Sequence, residues 1–551
     1  MNATFKPYSL SKHKAMTLPK IHLTPLWVVT IAILLFLIPL LILEYPLLQY
    51  SKGLFIYPQD EAYVRMATAK NLVLHGSWRL WDGEFNSASS SILYPLLLAI
   101  LYKLFGAHLI FPFLINLLAA LAFIMLLHRW LKAQGLSSVG QVSVMAVTIL
   151  LTPLPVLAVG GMEHMLQVLL TFLFLTNFSA WIADDRRRNL PWSIYLWGAI
   201  MTAVRYEGLF LVLIACIVLL LKRRYFLCLP FGIIACLPVI IFGIYSLQHG
   251  AYFIPTSIMI KAVPLPLNSE AIRKFFTDDL FTRIVYPFNT YGAIATTRLL
   301  IVLPVVYWLF LPRMRENPLY RRILLICLAM TLFHLAFSSA VLFFRYEAYL
   351  VACAIIITGV LITKNGKIAW PQKGRAARWI ALWSAFFLLY PLFSRAWTAY
   401  KTTDTECLNT YEQSFQAAKF VQRYYHHAPV ITDYIGVTSY FSEGKKIDLI
   451  SGIGYTEIAR SREGNFYRAE YADFIVQQEK PALAIIPENK YGYPLLQHWK
   501  KVADWYTNNI SVFRDDHISF YALDSARAPE LKRTLQAFEP SLPTAIKVVY
   551  P

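Results

Sequence analysis

Residues 25–44, PLWVVTIAILLFLIPLLILE, decide the class of fold. No charge interrupts them before Glu44, and a helix of this length reaches about 30 Å, the thickness of a bilayer's hydrocarbon core. Outward from this stretch the pattern recurs at 108–128, 140–159, 163–183, 225–247, 322–340, 345–362 and 379–397. Shorter apolar runs lie at 191–204, 206–221 and 298–312. Together these predict eleven membrane spans. Composition agrees: of 551 residues 57% are apolar and 15% charged, against about 45–50% and about 25% in soluble domains. Mean hydropathy is +0.49. Such a chain buries most of its surface in lipid. Disorder and collagen-like repeats are excluded, since apolar residues are too frequent and the 23 Gly and 30 Pro too sparse. Six Cys are too few for a disulfide scaffold. The first run is longer than a signal-peptide core and lacks a small-residue cleavage site, so it reads as a span.

Charge orients the spans. The N-terminus carries Lys6, Lys12, Lys14 and Lys20 and no acid, which places it in the cytoplasm. One more apolar stretch, SILYPLLLAILYKLFG at 91–106, would invert every later loop if it crossed, so it reads as an interfacial helix on the outer side. The inner segments 1–22, 129–139, 184–190, 222–224, 312–322 and 364–378 then hold 21 Lys or Arg against Asp184, Asp185 and Glu316. So 18 of the 19 net charges lie on one face. The asymmetry is a topology signal, and no nucleic-acid partner is expected.

Eleven spans from a cytoplasmic start leave the C-terminus outside. The chain divides into a membrane part, 1–397, with a first outer loop at 45–107, and an extracytoplasmic part, 398–551. The latter shows helix-like YEQSFQAAKFVQRYY (411–425) and strand-like PVITD (429–433), KIDLIS (446–451) and ALAII (482–486). A helix near 465–478 and a hairpin-like ISVFRDDHISFYAL (510–523) complete a small α/β sandwich. Its only cysteine is Cys407.

Ionisable residues at membrane depth are functional candidates, because each costs several kcal/mol unless paired or hydrated. Here they gather at the outer ends of the spans. Asp60 and Glu61 open a helix with Ala62, Met66, Ala69 and Val73 on one face and Arg65 on another. Two readings of the pair stand side by side. It is a helix N-terminal cap, or a general base with its partner, since close carboxylates repel and one pKa rises. Glu163 and His164 occupy the turn GGMEH; Arg205, Tyr206 and Glu207 the turn VRYEG; Lys261 ends IPTSIMIK; His249 follows the run 225–247; and Arg345 precedes Glu347 in FFRYEAY. The two runs flanking VRYEG are too short to cross, so their hairpin holds Arg205 and Glu207 below the outer interface. There they form a structural pair or line a wet cavity. Arg205, Lys261 and Arg345 are headgroup anchors, or a cationic set beside a carboxylate pair, suited to a lipid-linked phosphate as leaving group.

Other chemistry has little basis. The chain has no Walker loop, dinucleotide fingerprint, paired CxxC or HExxH. His426–His427 is not a metal-ligand spacing and reads as a solvated helix end. No metal site is predicted, although carboxylates facing a phosphate leave room for a divalent cation.

The order of these features carries a resemblance. DEAYVRMATAKNLVLHG (60–76) is followed by WRLWDGEFNSASSSILYPLLLAILYKLFG (78–106) and a span. This resembles the GT-C glycosyltransferases, and within them the terminal arabinofuranosyltransferases of mycobacteria. The turns and segments of that group have counterparts in GMEH (161–164), RYEG (205–208), IPTSIMIK (254–261) and RYE (345–347). ITDYIGVTSYFSEGKKIDLISG (431–452) looks like the segment after the last span. Glu61 stands at the second acidic position, Tyr206 at a usual Pro, His164 at a Thr and Thr256 at an Asn. The likeness covers most of 55–455.

The resemblance implies a polytopic membrane enzyme of the bacterial plasma membrane. Its donor would be a single sugar on polyprenyl phosphate, and its acceptor an extracytoplasmic envelope glycan or lipid. It also implies inversion at the anomeric carbon, with Asp60 as base, Glu61 assisting and Lys261, Arg205 and Arg345 on the donor phosphate. Glu163, His164, Tyr206, Glu207, Arg65 and His249 would support them. A flippase of lipid-linked sugars is the rival from another class. It calls for charges near the midplane and an internal repeat, whereas here the charges sit at the outer edge. An oligosaccharyltransferase is the third reading.

Overall fold

The computed structural model describes residues 24–261, 317–338, 344–365, 375–449, 469–487, 498–509 and 515–551, except positions 84, 185 and 187, and also 273 and 277. The molecule is a polytopic helical membrane protein with a C-terminal α/β part.

Helix α1 (Pro25–Tyr50) carries Pro39 and Pro46 and turns Leu26, Leu41 and Ile42 outward. Exposed side chains of this kind are lipid-facing, since a membrane helix needs no polar surface. Helix α2 (Asp60–His75) starts at the acidic pair, which suits the positive end of its dipole. Helix α3 (Leu93–Phe105) covers the stretch expected to lie at the interface. It buries Tyr94, Leu98 and Tyr102 at four-residue spacing and leaves Leu96, Ile100 and Leu104 exposed.

Helix α4 (Phe111–Ala133) follows. The expected run 140–159 is two helices, α5 (Ser138–Leu151) and α6 (Leu154–Val159), because Pro153 cannot continue the first. Helix α7 (His164–Ala183) is central and packs on α4. The short hairpin is present as α8 (Trp192–Val204) and α9 (Gly208–Leu221), each reaching about 20 Å. Then come α10 (Tyr225–Gln248), α11 (Thr256–Lys261), α12 (Pro318–Phe337) and α13 (Ala348–Asn365). Helices α8, α12 and α13 surround α7. Among the described residues, α1, α4, α7, α10 and α12 are long and apolar enough to cross a membrane; α3, α5, α8, α9 and α13 are shorter apolar helices. The expected span at 298–312 lies outside the described residues.

Helix α14 (Arg375–Thr410) runs on through a π-turn (Tyr411–Phe415) into α15 (Gln416–Tyr424). The expected helix at 411–425 is therefore the continuation of the last span, and the boundary at 397/398 falls inside one helix.

Beyond it lie β1 (Val430–Thr432), α16 (Ile435–Phe441), β2 (Lys446–Ile447), α17 (Ala469–Glu479) and β3 (Leu483–Ile486). Strands β4 (Lys500–Tyr506) and β5 (His517–Ala522), helix α18 (Ala528–Phe538) and β6 (Lys547–Val549) complete the order. The six strands form one mixed sheet in the order β2-β1-β3-β5-β4-β6. Strand β1 is parallel to β2 and β3, and the β3–β5, β5–β4 and β4–β6 pairs are antiparallel. The hairpin expected within 510–523 is corrected: β5 pairs with β4, Trp505 lying opposite Ile518.

The two parts meet along α2 and α16. Gly436 lies so close to α2 that a Cβ there would come within 2.3 Å of the Asp60 carbonyl oxygen. Only glycine allows that approach.

Candidate active site

Three turns at the outer helix ends supply the charged side chains. The first precedes α7. Its Gly161 has φ +65°, and a Cβ there would stand 2.2 Å from the Tyr57 ring, so glycine is required. This turn delivers Glu163 to the N-terminus of α7, where the helix dipole favours an anion. The second turn joins α8 to α9 and carries Arg205, Tyr206 and Glu207. The third precedes α13 and carries Arg345, Tyr346 and Glu347. Before it Phe344 takes φ +57°, a left-handed conformation rare for a bulky residue. Arg395 of α14 secures the segment, donating to the Phe344 carbonyl and to Glu347 Oε1 at 2.7 Å.

Glu163 is fully buried between two guanidinium groups. Arg65 Nε donates to Oε2 at 2.6 Å and Nη2 to Oε1 at 2.8 Å. Arg205 Nη1 donates to Oε1 at 2.9 Å. The two guanidiniums offset the cost of burying the Glu163 carboxylate. Arg205 also grips Glu207, Nε to Oε2 at 3.0 Å and Nη2 to Oε1 at 2.5 Å. Ser90 Oγ accepts from Arg65 at 2.8 Å and from Arg205 at 3.2 Å.

Arg205 and Arg345 share one aromatic ring: each guanidinium carbon lies 5.1 Å from the centroid of Tyr346. Arg345 Nη2 donates to Glu61 Oε1 at 2.9 Å. Its Nε is buried without a hydrogen-bond partner among the described residues, an expensive state for a charged donor. The structure thus brings Glu61, Arg65, Glu163, Arg205, Glu207 and Arg345 into one connected cluster, with the arginines and Glu163 buried and Glu61 partly exposed at its mouth.

Asp60 stands beside Glu61, also partly exposed. Its Oδ2 accepts the Gly436 N–H at 2.7 Å and its Oδ1 the Val437 N–H at 2.9 Å. The carboxylate therefore meets the first amides of α16 as well as opening α2.

The remaining expected residues are placed as follows. His164 packs edge-on to Tyr346, with ring centroids 5.5 Å apart, and its Nδ1 lies 3.3 Å from Gln167 Oε1. Tyr206 turns away into an aromatic group with Trp78 and Phe242. His249 packs on Phe85 and Tyr245 and makes no hydrogen bond to the charged cluster among the described residues. Lys261 is the last residue of α11, and its side chain lies outside the described residues. Sequence reasoning missed Tyr346, Ser90 and Arg395. The signal for Tyr346 was the tripeptide Arg-Tyr-Glu, which occurs at both 205–207 and 345–347. His426 and His427 close with Glu443 into a group whose ligand atoms lie within 4.8 Å of one another, at the exposed end of α15.

These features define a polytopic membrane protein with a cluster of buried arginines beside a carboxylate pair. A family model described as a domain of unknown function (DUF8728) matches residues 402–521. No curated protein matches the chain. Among solved structures, the chain is similar to ArnT from Cupriavidus metallidurans bound to undecaprenyl phosphate, at 13% identity and a TM-score of 0.48, over 91% of this chain and 98% of that one. It is also similar to the oligosaccharyltransferase AglB from Archaeoglobus fulgidus in complex with an inhibitory peptide and a dolichol-phosphate, at 11% identity and a TM-score of 0.43, over 91% and 74%. The mycobacterial arabinofuranosyltransferase AftD gives 14% identity and a TM-score of 0.41, over 92% of this chain and 42% of that one. Each is a likeness of arrangement at low identity.

Proposed function

We propose that the protein is an inverting GT-C glycosyltransferase. It moves one sugar from a polyprenyl-phosphate donor to a cell-envelope glycan or lipid on the outer face of a bacterial plasma membrane. One observation carries this reading. Arg345 is buried with Nε unpartnered, shares the Tyr346 ring with Arg205, and reaches Glu61 at the mouth of the cleft. A phosphate oxygen is the ligand that a buried, half-satisfied guanidinium recognises best. The motif order in the sequence points the same way.

In this reading the donor phosphate lies against Arg345 and Arg205, with Lys261 as a third cation. It competes with Glu61 for Arg345, so donor binding frees the Glu61 carboxylate for the acceptor side. The acceptor hydroxyl oxygen attacks the anomeric carbon, and Asp60 takes its proton. The bond from the anomeric carbon to the phosphate oxygen breaks, its electron pair stays on the phosphate, and the guanidiniums stabilise that charge.

The test is transfer of radiolabelled sugar from polyprenyl phosphate by the purified chain. Asp60→Asn should lower kcat by about 10²–10⁴, and Arg345→Gln by about 10²–10³. Full activity in Asp60→Asn would remove it as the base. Movement of donor lipid across the bilayer without any transfer product would replace the transferase by a flippase, and a product enlarged by a whole oligosaccharide would point to en bloc transfer.

A further inference from the structure

A cavity of about 550 Å³ lies outside the arginine cleft, where the first outer loop meets the α/β part. One wall is Gly53, Leu54 and Phe55, just past α1; another is the segment 107–110 that leads into α4. These positions set it at the level of lipid headgroups. Lys70 of α2, Gln422 of α15 and Tyr440 and Phe441 of α16 close it, and no carboxylate lines it.

Lys70 lines this wall, and Lys419 stands beside it against the lining residues Gln422 and Phe441. Lys70 Nζ donates to the Tyr440 carbonyl at 2.9 Å and lies 5.5 Å from the Tyr440 ring. Lys419 Nζ donates to Gln422 Oε1 at 3.1 Å and stands 4.1 Å from the Phe441 ring. Both are half-buried, and among the described residues neither has a carboxylate within salt-bridge distance. Burial pushes both ammonium groups down; Lys70 pushes Lys419 further, while Glu443 partly offsets the effect on Lys70. Glu443 itself is already turned to His426 and His427. Two part-buried cations with no carboxylate at salt-bridge distance among the described residues cost stability, and a bound anion lowers that cost. Tyr440 and Phe441 also line the cavity and give it an apolar side.

We propose that this cavity is a second anion site, holding a phosphate- or carboxylate-bearing group of the acceptor between Lys70 and Lys419, with its sugar against Tyr440 and Phe441. The role as acceptor site rests on the transferase reading; the anion site itself does not. Helix α2 connects the two places: ten residues from Asp60 to Lys70 span about 15 Å. An acceptor anchored at the lysines by its anionic end reaches Asp60 with a hydroxyl a few sugar units away.

The test uses the full chain in phosphatidylcholine nanodiscs, titrated with inorganic pyrophosphate and, separately, with phosphatidylglycerol. At least one probe should bind, and the double variant Lys70→Gln/Lys419→Gln should weaken it about tenfold or more, the loss expected for a charge-assisted contact. Binding of pyrophosphate assigns the anion to a soluble glycan; binding of phosphatidylglycerol alone assigns it to a lipid. The same probe should slow acetylation of Lys70 and Lys419 in the unaltered protein, read by mass spectrometry, so the result does not depend on how the variant folds. If neither probe binds, or if neither lysine is protected, the anion site is wrong whatever the transfer assay gives. If a probe binds and protects both lysines but no sugar is transferred, the site stands and the transferase reading falls.

Discussion

Glu163 shows how single residues set the cleft. Two guanidiniums share one fully buried carboxylate, so removal of that carboxylate would leave Arg65 and Arg205 buried without their common partner. Lys446 in β2 has the opposite economy. It is buried, donates to the Gly444 carbonyl, and burial pushes its ammonium down to about 7 despite Asp82 and Glu443 nearby. The unfolded chain keeps that proton up to 10.5, so between about 7 and 10.5 the unfolded state binds more protons. Stability should therefore rise with pH in that window, by about 1.4 kcal/mol per pH unit. Unfolding of wild type and Lys446→Met across pH 6–10 tests this (about four units): the rise should vanish in the variant, and a wild-type profile falling with pH would contradict it. At this scale the sequence exposed the charged residues, because a charge at a span end has few ordinary uses. It hid Tyr346 and Ser90, because a tyrosine at a membrane interface and a serine in a serine-rich loop have many.

Among the elements, the seam of α2 and α16 does most to position the site. Asp60 receives two α16 amides, and Gly436 permits the contact. Gly436→Ala places a methyl against backbone that cannot retreat, and overpacking of this sort costs about 1–3 kcal/mol. The variant should unfold at lower temperature, and its α16 amides should exchange hydrogen faster. Unchanged exchange there would mean that the seam is loose. The sequence revealed the short hairpin α8–α9 through run length alone, since helices of 13 and 14 residues cannot cross. It misplaced the β4–β5 hairpin for a physical reason. Asp504 interrupts the apolar pattern of KKVADWY, and only its partners Ser519 at 2.5 Å and Lys501 at 2.9 Å, brought close by the fold, make it a strand residue. The link from α14 to α15 was equally hidden, because continuation through a π-turn has no periodic signature.

Across the whole molecule, the two parts share one continuous helix and one charged cleft. The charge asymmetry of the sequence predicts that this cluster faces outside. His427 is 74% exposed at the end of α15, while the native cysteines are buried or half-buried. A membrane-impermeant maleimide should therefore label His427→Cys in intact cells and leave the parent protein unlabelled; labelling only after permeabilisation would invert the topology. The contact that completes the cleft has a consequence for biogenesis. Asp60 and Gly436 are 376 residues apart, so the ribosome finishes nearly every helix before the amides that hold Asp60 exist. A nascent chain still threading through the translocon carries its arginines and its first carboxylates but not the clamp. The clamp on Asp60 therefore forms late in synthesis, as a single docking event.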